Sequence, residues 1–129
     1  MRVLLDTHLL LWAAGMSRRL PAEARVLIVD PANEVYFSSA SVWEIAIKRG
    51  LDRADFRVDP DRLLHALPEM GLIELAITAR HAAEVVRLPP IHKDPFDRIL
   101  VAQSRCEPMI LLTNDAVVAE YWDGVRLIT

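Results

Sequence analysis

Apolar residues in this chain gather into short runs of strand length, each ending in a polar or acidic residue, and these runs alternate with stretches of helical period. Arg2-Val3-Leu4-Leu5 predicts a buried strand that closes on Asp6-Thr7; Leu9, Leu10 and Trp12 continue as a helix of about two turns, stopped by Gly15. Pro21 to Asp30 reads as a second helix, opened by proline and closed before Pro31. Val35-Tyr36-Phe37 is the next strand. Ser38 to Ser41 then supply N-caps for a helix carrying Val42, Ile45 and Ala46, with Glu44 near its start and Lys48 four residues further on.

Asp59-Pro60 opens a helix through Leu63, Leu64 and Leu67 that Pro68 or Gly71 should kink or end, and Leu72 to Leu75 follows as a third strand. Thr78 caps a helix running through Val86. Asp94-Pro95 provides an N-cap and first helical residue, and Phe96, Ile99 and Leu100 recur at helical spacing behind it. Asp97 falls in the first turn of that helix, near its free N–H groups and the positive end of its dipole. Met109 to Thr113 is a strand leading into Asn114-Asp115, Ala116 to Glu120 a short helical turn, and Val125 to Ile128 a last strand.

Strands that alternate with helices imply an α/β fold: one domain over residues 1–129, with a parallel sheet of about five strands covered on both faces. In such sheets the ligand crevice lies beyond the carboxyl ends of the strands. Asp6, Glu44 and Asp115 each follow a strand at that edge, and Asp97 joins them if its helix packs as the others do.

The composition, 53% hydrophobic and 26% charged over 129 residues, suits one domain with a real core. A net charge of -3, from 15 basic and 18 acidic residues, gives no overall attraction for a polyanion, so a nucleic-acid site would have to be local. The one cysteine, Cys106, reads as a small buried hydrophobe of a reducing compartment. No signal-like or membrane-spanning run occurs, and a cytoplasmic location is expected.

Four carboxylates in one crevice change this picture. At about 6 Å separation and an effective dielectric near 20, each pair costs roughly 3 kcal/mol. Either some of them hold a proton, or a divalent cation lies among them, and oxygen-only ligands favour Mg²⁺ or Mn²⁺. The cation is the preferred reading, with metal-assisted phosphodiester hydrolysis as the chemistry. Histidine and cysteine do not recur at zinc-like spacings.

The order and spacing of Asp6-Thr7, Ser41-Val42-Trp43-Glu44, Asp94-Pro95-Phe96-Asp97-Arg98 and Thr113-Asn114-Asp115 resemble the PIN-domain family, specifically its VapC-type toxin ribonucleases, over nearly the whole chain. The resemblance implies a three-layer α/β/α fold and a Mg²⁺- or Mn²⁺-dependent endoribonuclease. It further implies that the protein is the toxin of a toxin–antitoxin pair, homodimeric and neutralised by a cognate antitoxin, with structured or single-stranded loop RNA as substrate. By the same resemblance Asp6, Glu44 and Asp97 hold the principal metal, Asp115 completes the site or holds a second ion, and Thr113 assists through its hydroxyl. The alternative is a PIN-fold module that binds metal and RNA without turnover. A response-regulator receiver and a haloacid-dehalogenase-type phosphatase fit poorly, because Asp6 has no adjacent acid and His8 stands where the phosphatase pattern has its second aspartate.

Around these acids, Asp94 is assigned to capping. Lys48, Arg49, Lys93 and Arg98 are candidates for RNA phosphate contacts, with the Glu44–Lys48 pair equally readable as a surface helix pair. Trp12, Trp43 and Ile47 either line a groove for an antitoxin helix or pack in the core, and the core is the reading adopted for Trp43. None of His8, His65, His81 and His92 is assigned a catalytic role.

Overall fold

The computed structural model describes Met1–Thr129, apart from the side chain of Asp55. Five strands, β1 (Arg2–Leu5), β2 (Glu34–Ser38), β3 (Ile73–Leu75), β4 (Ile110–Thr113) and β5 (Val125–Leu127), form one sheet in the order β3-β2-β1-β4-β5. Every pairing is parallel. Six α-helices connect them: α1 (Thr7–Ala14), α2 (Ala22–Val29), α3 (Ser39–Gly50), α4 (Pro60–Glu69), α5 (Ala79–Glu84) and α6 (Pro95–Cys106).

Side chains alternate across each strand, so β1 feeds two cores at once. Val3 and Leu5 pack with Leu9 and Leu10 of α1, Ala24 of α2, Ile45 of α3, and Leu63 and Leu67 of α4. Leu4 faces the other way, onto Leu100 and Val101 of α6, Leu111 of β4 and Tyr121. The result is the expected three-layer α/β/α arrangement. Leu4, Leu5, Leu111 and Leu112 are fully buried; each contributes roughly 1.5–3 kcal/mol by leaving water. No helix among the described residues is long and apolar enough to cross a membrane.

Local expectations hold at most helix ends. Asp94, Asp59 and Thr78 accept backbone N–H bonds as N-caps. Pro68 lies inside the last turn of α4, and Gly71 closes the turn behind it at φ 78°, a conformation that favours glycine. Two expectations fail. The helix after Thr78 is α-helical only to Glu84 and tightens to a 3-10 turn over Val85–Arg87. Cys106 is only partly buried, because it is the last residue of α6.

The topology fixes where a site can form. From β1 the chain passes to β2 on one side, and after β3 it crosses back through α5 and α6 to β4 on the other side of β1. The strand order therefore switches between β1 and β4, which opens a crevice at their carboxyl ends. Leu5 pairs in register with Leu112, so Asp6 and Thr113, the residues that follow, lie side by side at that crevice.

Candidate active site

Asp6 ends β1 and caps α1: its Oδ1 accepts the Leu9 N–H over 2.8 Å. Its Oδ2 accepts the Thr113 hydroxyl at 2.7 Å, and the same Thr113 oxygen accepts the Asp115 N–H at 3.0 Å. One threonine thus ties the acid after β1 to the acid after β4. Thr7 does the equivalent work for Glu44, donating to Glu44 Oε1 at 2.7 Å with the Ser41 hydroxyl 2.9 Å away. Glu44 projects from the second turn of α3, and its other oxygen pairs with Lys48. The Lys48 ammonium also lies 4.7 Å from the Phe56 ring centroid, over its face.

Asp97 reaches the crevice from the first turn of α6. Its carboxylate Oδ2 lies 3.3 Å from His92 Nε2, which is also 3.5 Å from Asp115 Oδ2. Ligand-type atoms of His92, Asp97 and Asp115 all lie within 4.8 Å of one another. Asp6 and Glu44 stand deeper, 6% and 3% exposed, whereas the side chains of Asp97 and Asp115 are 23% and 41% exposed. The acids form a descending series from a buried pair to a solvent-facing pair.

Electrostatics link Asp97 to Glu44 and Asp6. Burial pushes Asp97 up to about 7; the negative charges of Asp94, Glu44 and Asp6 push the same way, against the pull of His92. Asp6 is also raised, by burial, in spite of its bonds from Leu9 and Thr113. Burial penalises the charged form of both groups, and at Asp97 the neighbouring carboxylates add to that penalty. The donors here are carboxylate oxygens on four different elements, a set that suits a hard divalent cation. The carboxylates of Asp6, Glu44, Asp97 and Asp115 fit such an ion by donor chemistry, and those of Asp97 and Asp115 are the two that come within 4.8 Å of each other.

A family model for the PIN domain matches residues 3–121. The chain belongs to the PIN domain family. Among solved structures, this PIN domain is similar to VapBC2 from Rickettsia felis bound to a DNA fragment from its promoter, at 13% identity and a TM-score of 0.70 over 100% of both chains. It is similar to a toxin–antitoxin complex from Klebsiella pneumoniae, at 21% identity and a TM-score of 0.64 over 96% of this chain and 95% of that one. DNA-bound VapBC from Salmonella typhimurium gives 16% identity and a TM-score of 0.65 over 98% and 96%. No curated protein matches the chain in sequence.

Within the PIN domain, the four acids read from the sequence all lie at the carboxyl edge, and Asp94 caps α6, accepting the Phe96 N–H at 2.9 Å. Two expectations need correction. Trp43 is not a core residue: it is 60% exposed and packs edge-on against Phe96, with ring centroids 5.3 Å apart. The reason is that α3 turns its polar Ser41 and Glu44 inward, which leaves Trp43 and Ile47 on the outer face. Trp12, by contrast, packs on the core of the α1 face.

Arg98 is not available to phosphate. Its guanidinium donates to the Val85 and Pro89 carbonyls at 3.2 and 3.0 Å and to the Tyr121 hydroxyl at 3.2 Å, holding the segment that carries His92. Arg49 likewise donates to the Arg57 carbonyl. Arg98→Ala should lower stability by about 2 kcal/mol, since several buried or half-buried acceptors lose their donor. Arg98→Lys should recover less than half, because one ammonium cannot reach acceptors spread around a planar fork. Urea unfolding of the three proteins checks this.

His92, to which the sequence reading assigned no catalytic role, lies against two of the four acids. Its sequence signal was its position two residues before the Asp94 cap. Its contact with Asp115 depends on the fold.

Proposed function

We propose that the protein is the toxin of a VapC-type toxin–antitoxin pair and hydrolyses RNA phosphodiester bonds with Mg²⁺ or Mn²⁺. The observation that carries this reading is the convergence of Asp6, Glu44, Asp97 and Asp115 at the switch point of the sheet, with Asp97 pushed up to about 7 among them. Similarity in fold to the VapBC structures supports it.

A divalent cation in this site supplies Lewis acidity to a phosphate oxygen and makes a nucleophile available from water at neutral pH. The chain's own residues prepare the site. Thr113 and Thr7 spend their hydroxyl protons on Asp6 Oδ2 and Glu44 Oε1, which fixes the orientation of the two buried carboxylates. Lys48 offsets the charge of Glu44 and is the proposed phosphate contact of the crevice. The walls of the crevice come from four separate elements, so a phosphate bound there would be met by side chains from several sides.

The proposed partners are a cognate antitoxin and a second copy of the chain. Trp43, Ile77, Val85, Phe96 and Ile99 line an apolar groove of about 390 Å³ beside the acids, and Ile47 is exposed on the same outer face of α3. Apolar surface of this kind is usually covered by a protein partner. A cytoplasmic location belongs to the same reading.

Purified protein freed of antitoxin should cut a mixed transfer and ribosomal RNA pool into discrete fragments with Mn²⁺ or Mg²⁺, and EDTA should abolish the cutting. A folded protein that leaves every RNA intact at all metal concentrations would overturn the nuclease reading in favour of a binding module.

A further inference from the structure

His92 lies outside every helix and strand, at the mouth of the acid cluster. The backbone holds one end of its ring: the Asp94 N–H donates to Nδ1 over 3.0 Å. A backbone N–H acts only as a donor, so Nδ1 is the acceptor and the neutral imidazole carries its proton on Nε2. Nε2 faces Asp97 Oδ2 at 3.3 Å and Asp115 Oδ2 at 3.5 Å. Both separations are longer than a formed hydrogen bond, so the imidazole edge stands between the two carboxylates as a close polar neighbour of each. The His92 backbone is pinned as well, its N–H donating to the Tyr121 hydroxyl at 2.7 Å and its carbonyl accepting from that hydroxyl at 3.2 Å.

The spacing of His92, Asp97 and Asp115 would also suit a histidine ligand to a cation. The tautomer argues against that role. Ligation through Nε2 needs that nitrogen free of its proton, which moves the ring proton to Nδ1, directly against the Asp94 N–H. Asp94 is itself held as the N-cap of α6, its side chain accepting the Phe96 N–H. Asp115 is held from its other side, Oδ1 accepting the Val117 N–H at 2.9 Å.

We propose that His92 is a positioning residue of the cation site: its Nε2–H edge stands close to both Asp97 and Asp115 and offsets the repulsion between the two carboxylates, keeping them in register for the ion without itself ligating it. This rests on the reading that the acids bind a divalent cation. Partners that orient ligands in this way typically change metal affinity by 10–100-fold.

The test is Mn²⁺ binding to the parent, His92→Ala and His92→Gln proteins by titration calorimetry, with pulsed electron paramagnetic resonance of the Mn²⁺-loaded parent. Glutamine keeps an N–H donor at similar reach and loses the imidazole. The expected results are affinity weakened roughly tenfold or more in His92→Ala, most of it regained in His92→Gln, and no coupling from a directly bound histidine nitrogen in the parent. Undiminished Mn²⁺ affinity in His92→Ala, a glutamine variant no better than alanine, or a directly coordinated nitrogen would each overturn the proposal. Failure of the folded parent to bind Mn²⁺ would remove the cation reading itself, an outcome distinct from these three.

Discussion

Asp97→Asn is expected to fold as the parent does and to lose metal-dependent RNA cleavage by at least about a hundredfold, more than the 10–100-fold that follows from disturbing a ligand's outer partners. The helix does not depend on this side chain, because Asp94 supplies the cap of α6. What asparagine removes is one negative charge from a group that faces His92 and senses Glu44 and Asp6. An Asp94→Asn protein is the matched control. Asparagine caps as well as aspartate does, and cleavage should stay within several-fold of the parent. Single-turnover rates on one RNA, with circular dichroism to verify folding, separate the two. Parent-like cleavage by Asp97→Asn would exclude the residue from the site.

The second large effect is an inverted pH dependence of stability in the absence of metal. Asp97 has an ordinary value of 3.8 when unfolded and about 7 when folded, and Asp6 is shifted in the same direction. Between about pH 4 and 7 the folded state therefore holds protons that the unfolded state has released, and stability must fall as pH rises through that window. For Asp97 alone the loss reaches about 4 kcal/mol by the upper end. Melting in EDTA should move to lower temperature from pH 5 to pH 8, and Asp97→Asn should flatten the slope. Added Mn²⁺ should restore stability most strongly at the alkaline end, where the ionised acids bind it. A melting temperature that climbs steadily to pH 8 in EDTA would contradict the assigned burial of these carboxylates.

Much of this was legible from residue order. The short apolar runs marked the central strands because a parallel sheet buries both faces there, which leaves Val3-Leu4-Leu5 and Ile110-Leu111-Leu112 without polar interruption, while the edge strands β3 and β5 carry Glu74 and Arg126. Placement of the acids followed, since Asp6 and Asp115 are tied to strand ends and Asp97 to a helix start. Helix faces were harder to read. Period alone tells which residues of α3 share a side but not which side turns inward, and here the buried side carries Ser41 and Glu44 while Trp43 points out.

Long-range pairs were harder still. Nothing near Arg98 in sequence reveals that Tyr121 and the Val85 carbonyl will gather around its guanidinium. The bridge from His92 to Asp115 similarly requires β4 to be laid beside β1. Both contacts are products of the crossover through α5 and α6, which local pattern does not specify.

The central claim is that acids from four elements make one divalent-cation site. Calorimetric titration of Mn²⁺ into the parent, Asp6→Asn and Asp97→Asn proteins at neutral pH tests it most directly. The account predicts saturable binding to the parent that is lost or severely weakened in both variants. Equal binding to all three folded proteins, or none to the parent, would contradict it.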